Sequence, residues 1–272
     1  AGNGTATFSV SATGTGLTYQ WRKGGVSLTN TAPYSNVTSS ILTITNPAIG
    51  DAGNFDVVIS GTCSPAVISS PATLTVHALP SITAATAITN PLDATKNSIC
   101  YSNNAQTANL TYTGTTNSPT TYSITWSPAG LTAVADATLP ASPITISVPA
   151  SAAANTYTGT LTVKNGNGCV SSTSTFTTKV DAPSVPGFVT GPTNPICPGG
   201  TATLNLTGSV GTIRWLYSTT GVNSDGSAPP IPSSLPTYVT QPLSVTTWFQ
   251  ARLINGSCPQ VFTPWVAVTV LS

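Results

Sequence analysis

Residues 51–57, Asp-Ala-Gly-Asn-Phe-Asp-Val, decide the fold of the first part of the chain. An Asp-Ala-Gly turn leads into an alternation in which one polar residue separates apolar Phe55 from Val57. A period of two is typical of a strand with one buried face. Outward from this stretch, the same alternation occurs at residues 6–12, 17–22 and 40–44. These strands predict an all-β domain.

Three segments of the chain end in the same way. An alternating last strand closes each of them, at residues 72–76, 175–180 and 265–270. Short connectors that contain proline follow the first two. We therefore predict three tandem domains over residues 1–77, 78–182 and 183–272, in an elongated arrangement because proline stiffens the connectors.

The composition excludes several classes of function. Charged residues make up 5% of the 272 residues and the formal net charge is +1, against about 25% charged residues in an ordinary soluble protein. A chain this neutral has no basic surface for nucleic acid or an anionic membrane. No apolar run is long enough to insert into a bilayer. The 39% of hydrophobic residues is still enough to form cores.

The first segment resembles an immunoglobulin domain. Residues 51–57 are similar to the D-x-G-x-Y-x-C signature of strand F, and Trp21 matches the buried tryptophan of strand C. Phe55 replaces the usual corner tyrosine, so its hydroxyl bond is lost. Val10 and Val57 occupy the positions of the usual disulfide, and the resemblance implies that they pack over Trp21. Trp126 and Trp215 are the predicted core tryptophans of the other two domains.

The other segments resemble repeats of bacterial surface proteins. The second is similar to the polycystic-kidney-disease-like (PKD-like) sandwiches, through its strands at residues 109–112, 122–126, 144–148 and 157–163. The third, with residues 197–204, 214–217 and 243–249, looks like the immunoglobulin-like repeats of large Bacteroidota surface and gliding adhesins. This resemblance implies a cell-surface protein exported by the type IX route. Its partners would be neighbouring repeats and a surface glycan or protein.

Five cysteines lie outside the expected core-bridge positions. In the second and third segments, one cysteine precedes the first core strand and another follows in the last hairpin. We therefore predict the disulfides Cys100–Cys169 and Cys197–Cys258. Disulfides persist in oxidising compartments, which favours an extracellular location.

Cys63 has the late hairpin position in the first segment, but no early cysteine is present to pair with it. Residues 5–8 align with residues 201–204, which places the missing cysteine at or just before Ala1. We predict that Cys63 pairs with a cysteine upstream of Ala1 and that the chain is an excerpt of a longer protein. A free reactive thiol is the alternative, although no basic residue lies near Cys63 in the sequence to activate it.

The sequence predicts neither catalysis nor a metal or cofactor site. Its six Asp residues are scattered, with no pair at a spacing that suggests glycoside hydrolysis. The single histidine, His77, lies in a connector, and no nucleophile elbow or clustered acidic loop for calcium is present.

Two tryptophans of the last hairpin form a candidate binding surface. Folding the chain about residues 255–257 predicts that Trp248 lies opposite Trp265, with both rings pointing outward. Outward aromatic rings can stack on sugars or on a neighbouring domain. The simpler interpretation is a cross-strand pair that stabilises the sheet.

Three functions are consistent with these features. The chain is a stalk segment of a large secreted adhesin that serves attachment or gliding, or it contains a glycan- or protein-binding module, most simply the third domain. In the third interpretation it is a subunit of a surface filament.

Overall fold

The structure, a computed structural model of the 272-residue chain, describes residues 4–221 and 233–271. The described chain is nearly all β, with a short 3-10 helix at Ile49–Asp51. Its strands form three successive immunoglobulin-like sandwiches, which confirms the predicted fold class. Among the described residues, no helix has the length and apolar character needed to cross a membrane.

The first sandwich has two sheets, with orders β1-β5-β4 and β3-β2-β6-β7, and β8 also pairs with β6. Its strands are β1 (Thr5–Ser9), β2 (Thr18–Lys23), β3 (Val26–Ser27), β4 (Tyr34–Ser35), β5 (Ile41–Thr45), β6 (Gly53–Ser60), β7 (Val67–Ile68) and β8 (Ala72–Leu74).

The second sandwich has a five-stranded sheet of order β10-β17-β16-β13-β14 and two two-stranded sheets, β11-β15 and β12-β9. Its strands are β9 (Ser81–Ala84), β10 (Ser98–Cys100), β11 (Gln106–Leu110), β12 (Tyr112–Thr116), β13 (Pro119–Ser127), β14 (Val134–Thr138), β15 (Ile144–Val148), β16 (Asn155–Asn165) and β17 (Ser174–Asp181).

The third sandwich has sheets of order β18-β19-β21 and β20-β22-β23, and β24 also pairs with β22. Its strands are β18 (Phe188–Thr190), β19 (Thr203–Thr207), β20 (Thr212–Ser218), β21 (Thr237–Val239), β22 (Thr247–Ile254), β23 (Val261–Phe262) and β24 (Val266–Val268).

By its internal contacts the chain divides into two compact units. The first contains residues 1–82, 114–122 and 162–172, and the second contains residues 83–113, 123–161 and 173–272. The first sandwich lies wholly in the first unit and the third wholly in the second. The second sandwich contributes residues to both units, and the predicted boundaries at residues 77 and 182 stay a prediction.

The core of the first sandwich is built from the alternating faces of β2, β5 and β6. Trp21 is 3% exposed and Val57 is fully buried, whereas Val10 is half-buried at the edge of this core. The ring of Phe55 stacks on Phe8 with centroids 5.1 Å apart. The stacked rings of Phe8 and Phe55 thus add aromatic packing to the core that contains Trp21 and Val57.

A tyrosine from another strand supplies the hydroxyl bond that Phe55 cannot make. The hydroxyl of Tyr34 donates to Oδ1 of Asp51 over 2.8 Å. Burial, together with the bond to the Asp51 carboxylate, raises the pKa of Tyr34 to about 12. Asp51 also accepts the backbone N–H of Ala48 over 2.8 Å, so it fixes the turn before β6 as well.

The predicted core tryptophans of the other two sandwiches differ in burial. Trp215 is fully buried between β19, β20 and β22, and its Nε1 donates to the carbonyl of Leu235 over 2.9 Å. Trp126 lies at the end of β13, where it is only half-buried and packs edge-on against Phe176 with centroids 5.3 Å apart. Phe176, 1% exposed, holds the buried position instead.

All three sandwiches share a bulge in which a hydroxyl replaces a backbone acceptor. Ser69, Ser171 and Thr263 each donate a backbone N–H to a carbonyl of the facing strand, at Val57, Val163 and Ala251. In return, the backbone N–H groups of the three facing residues donate to the hydroxyl oxygens. These distances are 3.1 Å for Val57 to Ser69, 3.0 Å for Val163 to Ser171 and 3.0 Å for Ala251 to Thr263. We call these three residues the hydroxyl bulges.

The hydroxyl bulge of the third sandwich shifts the strand register. Leu253 lies opposite Val261 before the bulge, and Trp248 lies opposite Ala267 after it, so the later strand contains one extra residue. An extra residue in one strand leaves an N–H of the facing strand without its usual backbone acceptor. Here the N–H of Ala251 donates to the hydroxyl of Thr263 instead, and Thr263 is only 1% exposed.

Thr263→Val is expected to lower the free energy of unfolding by about 1–3 kcal/mol, the usual effect of leaving a buried donor without an acceptor. Valine keeps the shape of threonine but removes the acceptor of the Ala251 N–H. Urea denaturation of the full chain measures the effect. Thr263→Ser is the matched control, because it retains the hydroxyl, and a valine variant as stable as the serine variant would contradict the prediction.

Candidate functional site

The candidate site is a buried polar cluster where the second sandwich ends and the third begins. We call it the Asp181 joint, and it consists of residues 96–100, 179–184 and 255–258. All of these residues belong to one compact unit. The last residue of β17, the start of the connector and the hairpin after β22 meet there.

Asp181 is the centre of the joint and is 2% exposed. Its Oδ1 lies 2.8 Å from Nζ of Lys179. Its Oδ2 accepts the hydroxyl of Ser98 and, over 2.8 Å, the backbone N–H of Ser257. Burial alone would raise the pKa of Asp181, but the bonds from Lys179, Ser98 and Ser257 outweigh it and lower the pKa below the ordinary 3.8.

Three of the four hairpin residues 255–258 are tied to the preceding sandwich or to the connector by hydrogen bonds. Nδ2 of Asn255 donates to the carbonyl of Ala182 over 2.8 Å, and its backbone N–H donates to Oγ of Ser184 over 3.0 Å. The carbonyl of Gly256 accepts Nζ of Lys96 over 2.9 Å. The hydroxyl of Ser257 donates to the carbonyl of Ser98 over 2.7 Å.

Glycine is required at position 256 for two reasons. Its φ of +54° lies in the left-handed region that residues with a side chain rarely adopt. A Cβ atom at this position would also overlap the carboxylate of Asp181. Asp181 and Gly256 therefore fit together only because the hairpin has no side chain there.

The fourth hairpin residue, Cys258, forms a disulfide with Cys100 at the end of β10. Both predicted pairings, Cys100–Cys169 and Cys197–Cys258, are therefore wrong. Cys100 lies opposite Asp181, at the end where the chain leaves the second sandwich. Cys258 lies where the chain enters the third, with its Sγ 3.1 Å from the carbonyl oxygen of Ala182.

The physical reason for the error is the direction of the chain through each sandwich. In the third sandwich, Ile196 pairs with Val270, so Cys197 lies at the exit end. Cys258 lies at the entry end of the same sandwich, beside Ala182. The two cysteines of one sandwich are thus at opposite ends and do not bond to each other.

Cys63, Cys169 and Cys197 are unpaired in the structure. Cys63 and Cys197 are exposed, and Cys169 is half-buried. The predicted partner of Cys63 upstream of Ala1 lies outside the chain, and residues 1–3 lie outside the described residues.

The predicted pairing of Trp248 with Trp265 is wrong. Ala267 lies opposite Trp248, because the hydroxyl bulge at Thr263 moves the register. Both tryptophans are only partly exposed, and the ring of Trp248 is covered on one side by Gly221. The two tryptophans are therefore not directly opposite each other, and their role in binding stays a prediction.

The contacts of the Asp181 joint are structural: they hold the second and third sandwiches together. Asp181 is 2% exposed, so its carboxylate is closed off from a substrate in solution and is held by Lys179, Ser98 and Ser257. Within residues 4–221 and 233–271, no group of three or more His, Cys or acidic residues is placed to hold a metal ion. Sequence reasoning placed Asp181 in a connector and missed its role. The available signal was the pair of Asn-Gly hairpins, each followed by a cysteine.

Comparisons with known proteins found one family model and a set of similar solved structures. A family model described as Domain of unknown function (DUF8696) matches residues 185–272, and no curated protein matches the chain. Similar solved structures include an I-band fragment of titin, 13% identical with a TM-score of 0.45, covering 99% of this chain and 94% of that one. Sidekick-1 immunoglobulin domains 1–5 are 17% identical with a TM-score of 0.39, covering 99% and 57%.

A Ca²⁺-stabilised adhesin from an Antarctic bacterium is also similar, at 16% identity and a TM-score of 0.39, with 99% of this chain and 69% of that chain covered. At such low similarity, the assignment of the fold depends on the strands and pairings of the chain itself. These define tandem immunoglobulin-like sandwiches, of which the second and the third are joined by a disulfide.

Acid is expected to weaken the Asp181 joint. Because the folded pKa of Asp181 is lowered, its contribution to stability is complete above the unfolded pKa near 3.8 and is lost as the pH falls through the lower folded value. Hydrogen exchange of the hairpin peptide, measured between pH 5 and pH 2 after correction for intrinsic exchange, reports the loss. Asp181→Asn should show a smaller acid-dependent change in exchange. Asp56→Asn, which removes a carboxylate of the first sandwich, is the control and should behave as the wild type. Equal behaviour of all three proteins would contradict the assignment.

Proposed function

We propose that the chain is a non-catalytic, extracellular spacer segment of an adhesive bacterial surface protein, built to resist extension. The observation that supports the proposal is the Asp181 joint, where a disulfide and a set of hydrogen bonds fasten the second sandwich to the third. An enzyme keeps its polar groups accessible to a substrate. Here they are used up in fixing one sandwich to the next.

The disulfide has a direct mechanical effect. Cys100 and Cys258 are separated by 158 residues, and at about 3.5 Å per extended residue this corresponds to about 550 Å of chain. When the ends of the protein are pulled, tension passes through the sulfur–sulfur bond, and the enclosed residues cannot extend. The Asp181 joint therefore limits how far the segment lengthens under load.

The disulfide and the scarcity of charged residues support an extracellular location. The sequence resemblance to Bacteroidota repeat adhesins supports a finer proposal, in which the protein is exported by the type IX route and serves surface attachment or gliding. Neighbouring repeats of the same polypeptide are then its immediate partners.

Single-molecule pulling on the full chain tests the spacer function. With tag-based handles at both termini, the oxidised wild type should release a contour length about 550 Å shorter than that of Cys258→Ser. Cys63→Ser is the matched control, since it removes an unpaired thiol, and it should extend like the wild type. Equal lengths for the wild type and Cys258→Ser would refute a load-bearing disulfide.

A further inference from the structure

The position of Cys100 recurs in the third sandwich. In the second, Ile99 pairs in parallel with Val180, which places Cys100 opposite Asp181. In the third, the N–H of Ile196 donates to the carbonyl of Thr269 and the N–H of Leu271 donates to the carbonyl of Ile196, both over 2.9 Å. This parallel bridge puts Cys197 in the place of Cys100, at the exit end and exposed.

The position of Cys258 also recurs. Asn165 begins the hairpin of the second sandwich, and its Nδ2 donates to the carbonyl of Ala78 over 3.2 Å, as Asn255 does to Ala182 over 2.8 Å. The side-chain oxygen of Asn165 accepts the N–H of Cys169 over 3.1 Å, which fixes the thiol at the turn. Cys169 therefore has the place of Cys258, beside the connector that enters its sandwich.

The five cysteines of the chain thus occupy only two structural positions. One is the strand end at the exit of a sandwich, held by Cys100 and Cys197. The other is the hairpin at the entry, held by Cys169, Cys258 and, from its position after β6, Cys63. The one disulfide present joins the exit of one sandwich to the entry of the next.

We propose that this exit-to-entry disulfide is a repeating bond, and that Cys197 is the attachment point for the hairpin cysteine of a further domain of the same kind. By the same rule, the partner of Cys169 is an exit cysteine of the first sandwich, and the partner of Cys63 belongs to a domain before it. Each cysteine bonds to a neighbouring sandwich, never within its own.

The register of the chain supports this rule. Residues 197–204 align without a gap with residues 1–8, so Ala1 has the position in sequence that Cys197 has in the third segment. Leu271 and Ser272 likewise follow Val270 as Asp181 and Ala182 follow Val180. A domain that begins after Ser272 would therefore present its hairpin to Cys197 at the spacing seen in the Asp181 joint.

The bond chemistry needs an oxidant. Two thiols lose two protons and two electrons to form the sulfur–sulfur bond, and a disulfide such as oxidised glutathione accepts them and becomes two thiols. Cys63 and Cys197 are exposed to such an oxidant. The inference goes beyond the spacer function, because mapping a bond does not depend on how the chain behaves under load.

Ala1→Cys in the full chain is the first test. After oxidation in a glutathione buffer, alkylation and non-reducing digestion, mass spectrometry should find the peptide of position 1 linked to that of Cys169, with both thiols lost from alkylation. Linkage to Cys63, which a bond within one sandwich requires, would overturn the proposal, as would no new bond. Ala1→Ser should leave Cys63 and Cys169 alkylated, and Ala1→Cys with Cys63→Ser should retain the bond to Cys169.

A second test addresses Cys197 directly. The full chain is extended after Ser272 by a second copy of residues 183–272 and oxidised in the same way. Cys197 of the original chain should be lost from alkylation and linked to the hairpin cysteine of the added copy, while Cys100–Cys258 persists. If both of those cysteines stay alkylated, or if the added hairpin cysteine bonds within its own copy, the rule is wrong.

Discussion

Cys100→Ser is expected to lower the free energy of unfolding of the third sandwich by about 3–5 kcal/mol, the range of the chain-entropy account for a long closed loop. The separation of 158 residues makes this a long loop, and the substitution also frees the hairpin from the Asp181 joint. Hydrogen exchange of the β22 peptides under native conditions measures the effect, because it reports on the third sandwich separately from the first.

Cys197→Ser is the control for this prediction. It removes an unpaired, exposed thiol from the same sandwich, and we expect little change in the protection of β22. A Cys100→Ser variant that exchanges no faster than Cys197→Ser would show that the disulfide does not stabilise the third sandwich.

Gly256→Ala is expected to destabilise the Asp181 joint by about 2–5 kcal/mol. Left-handed backbone costs a residue with a side chain about 1–2 kcal/mol, and the new methyl group must also displace the carboxylate of Asp181, an overpacking effect of about 1–3 kcal/mol. Hydrogen exchange of the peptide that contains the substituted hairpin, measured in the full chain under native conditions, reports the loss.

The hairpin of the second sandwich offers the control. Gly168 also has a left-handed φ, of +79°, but a Cβ atom there would meet nothing within 4 Å. Gly168→Ala should therefore show the backbone effect alone. Equal losses for the two variants would mean that contact with Asp181 adds nothing at position 256.

Local pattern was enough to predict the architecture. The alternation around Phe55 and Val57 placed β6, and the burial of Trp21 and Trp215 follows from the apolar faces of their strands. Trp126 shows the limit of this reasoning: it lies on the inward face of β13, but at the strand end, where less of the sandwich covers it. A period of two gives the face of a residue and not its depth.

The joint could not be predicted in the same way, because it depends on contacts between elements far apart in the sequence. The pairing of Cys100 depends on which end of the sandwich each cysteine occupies, and spacing along the chain does not encode that. The prediction that Trp248 lies opposite Trp265 was wrong for a more local reason. Thr263 inserts a bulge, and one extra residue is enough to change every cross-strand partner beyond it.

The bond between Cys100 and Cys258 also changes what a protease can do to the chain. A cut at any single peptide bond between these cysteines leaves the two products covalently joined. The pieces separate only when a reductant breaks the sulfur–sulfur bond, and oxidising surroundings preserve it. A nicked molecule therefore keeps its two ends connected, and a single proteolytic event does not divide the protein in two.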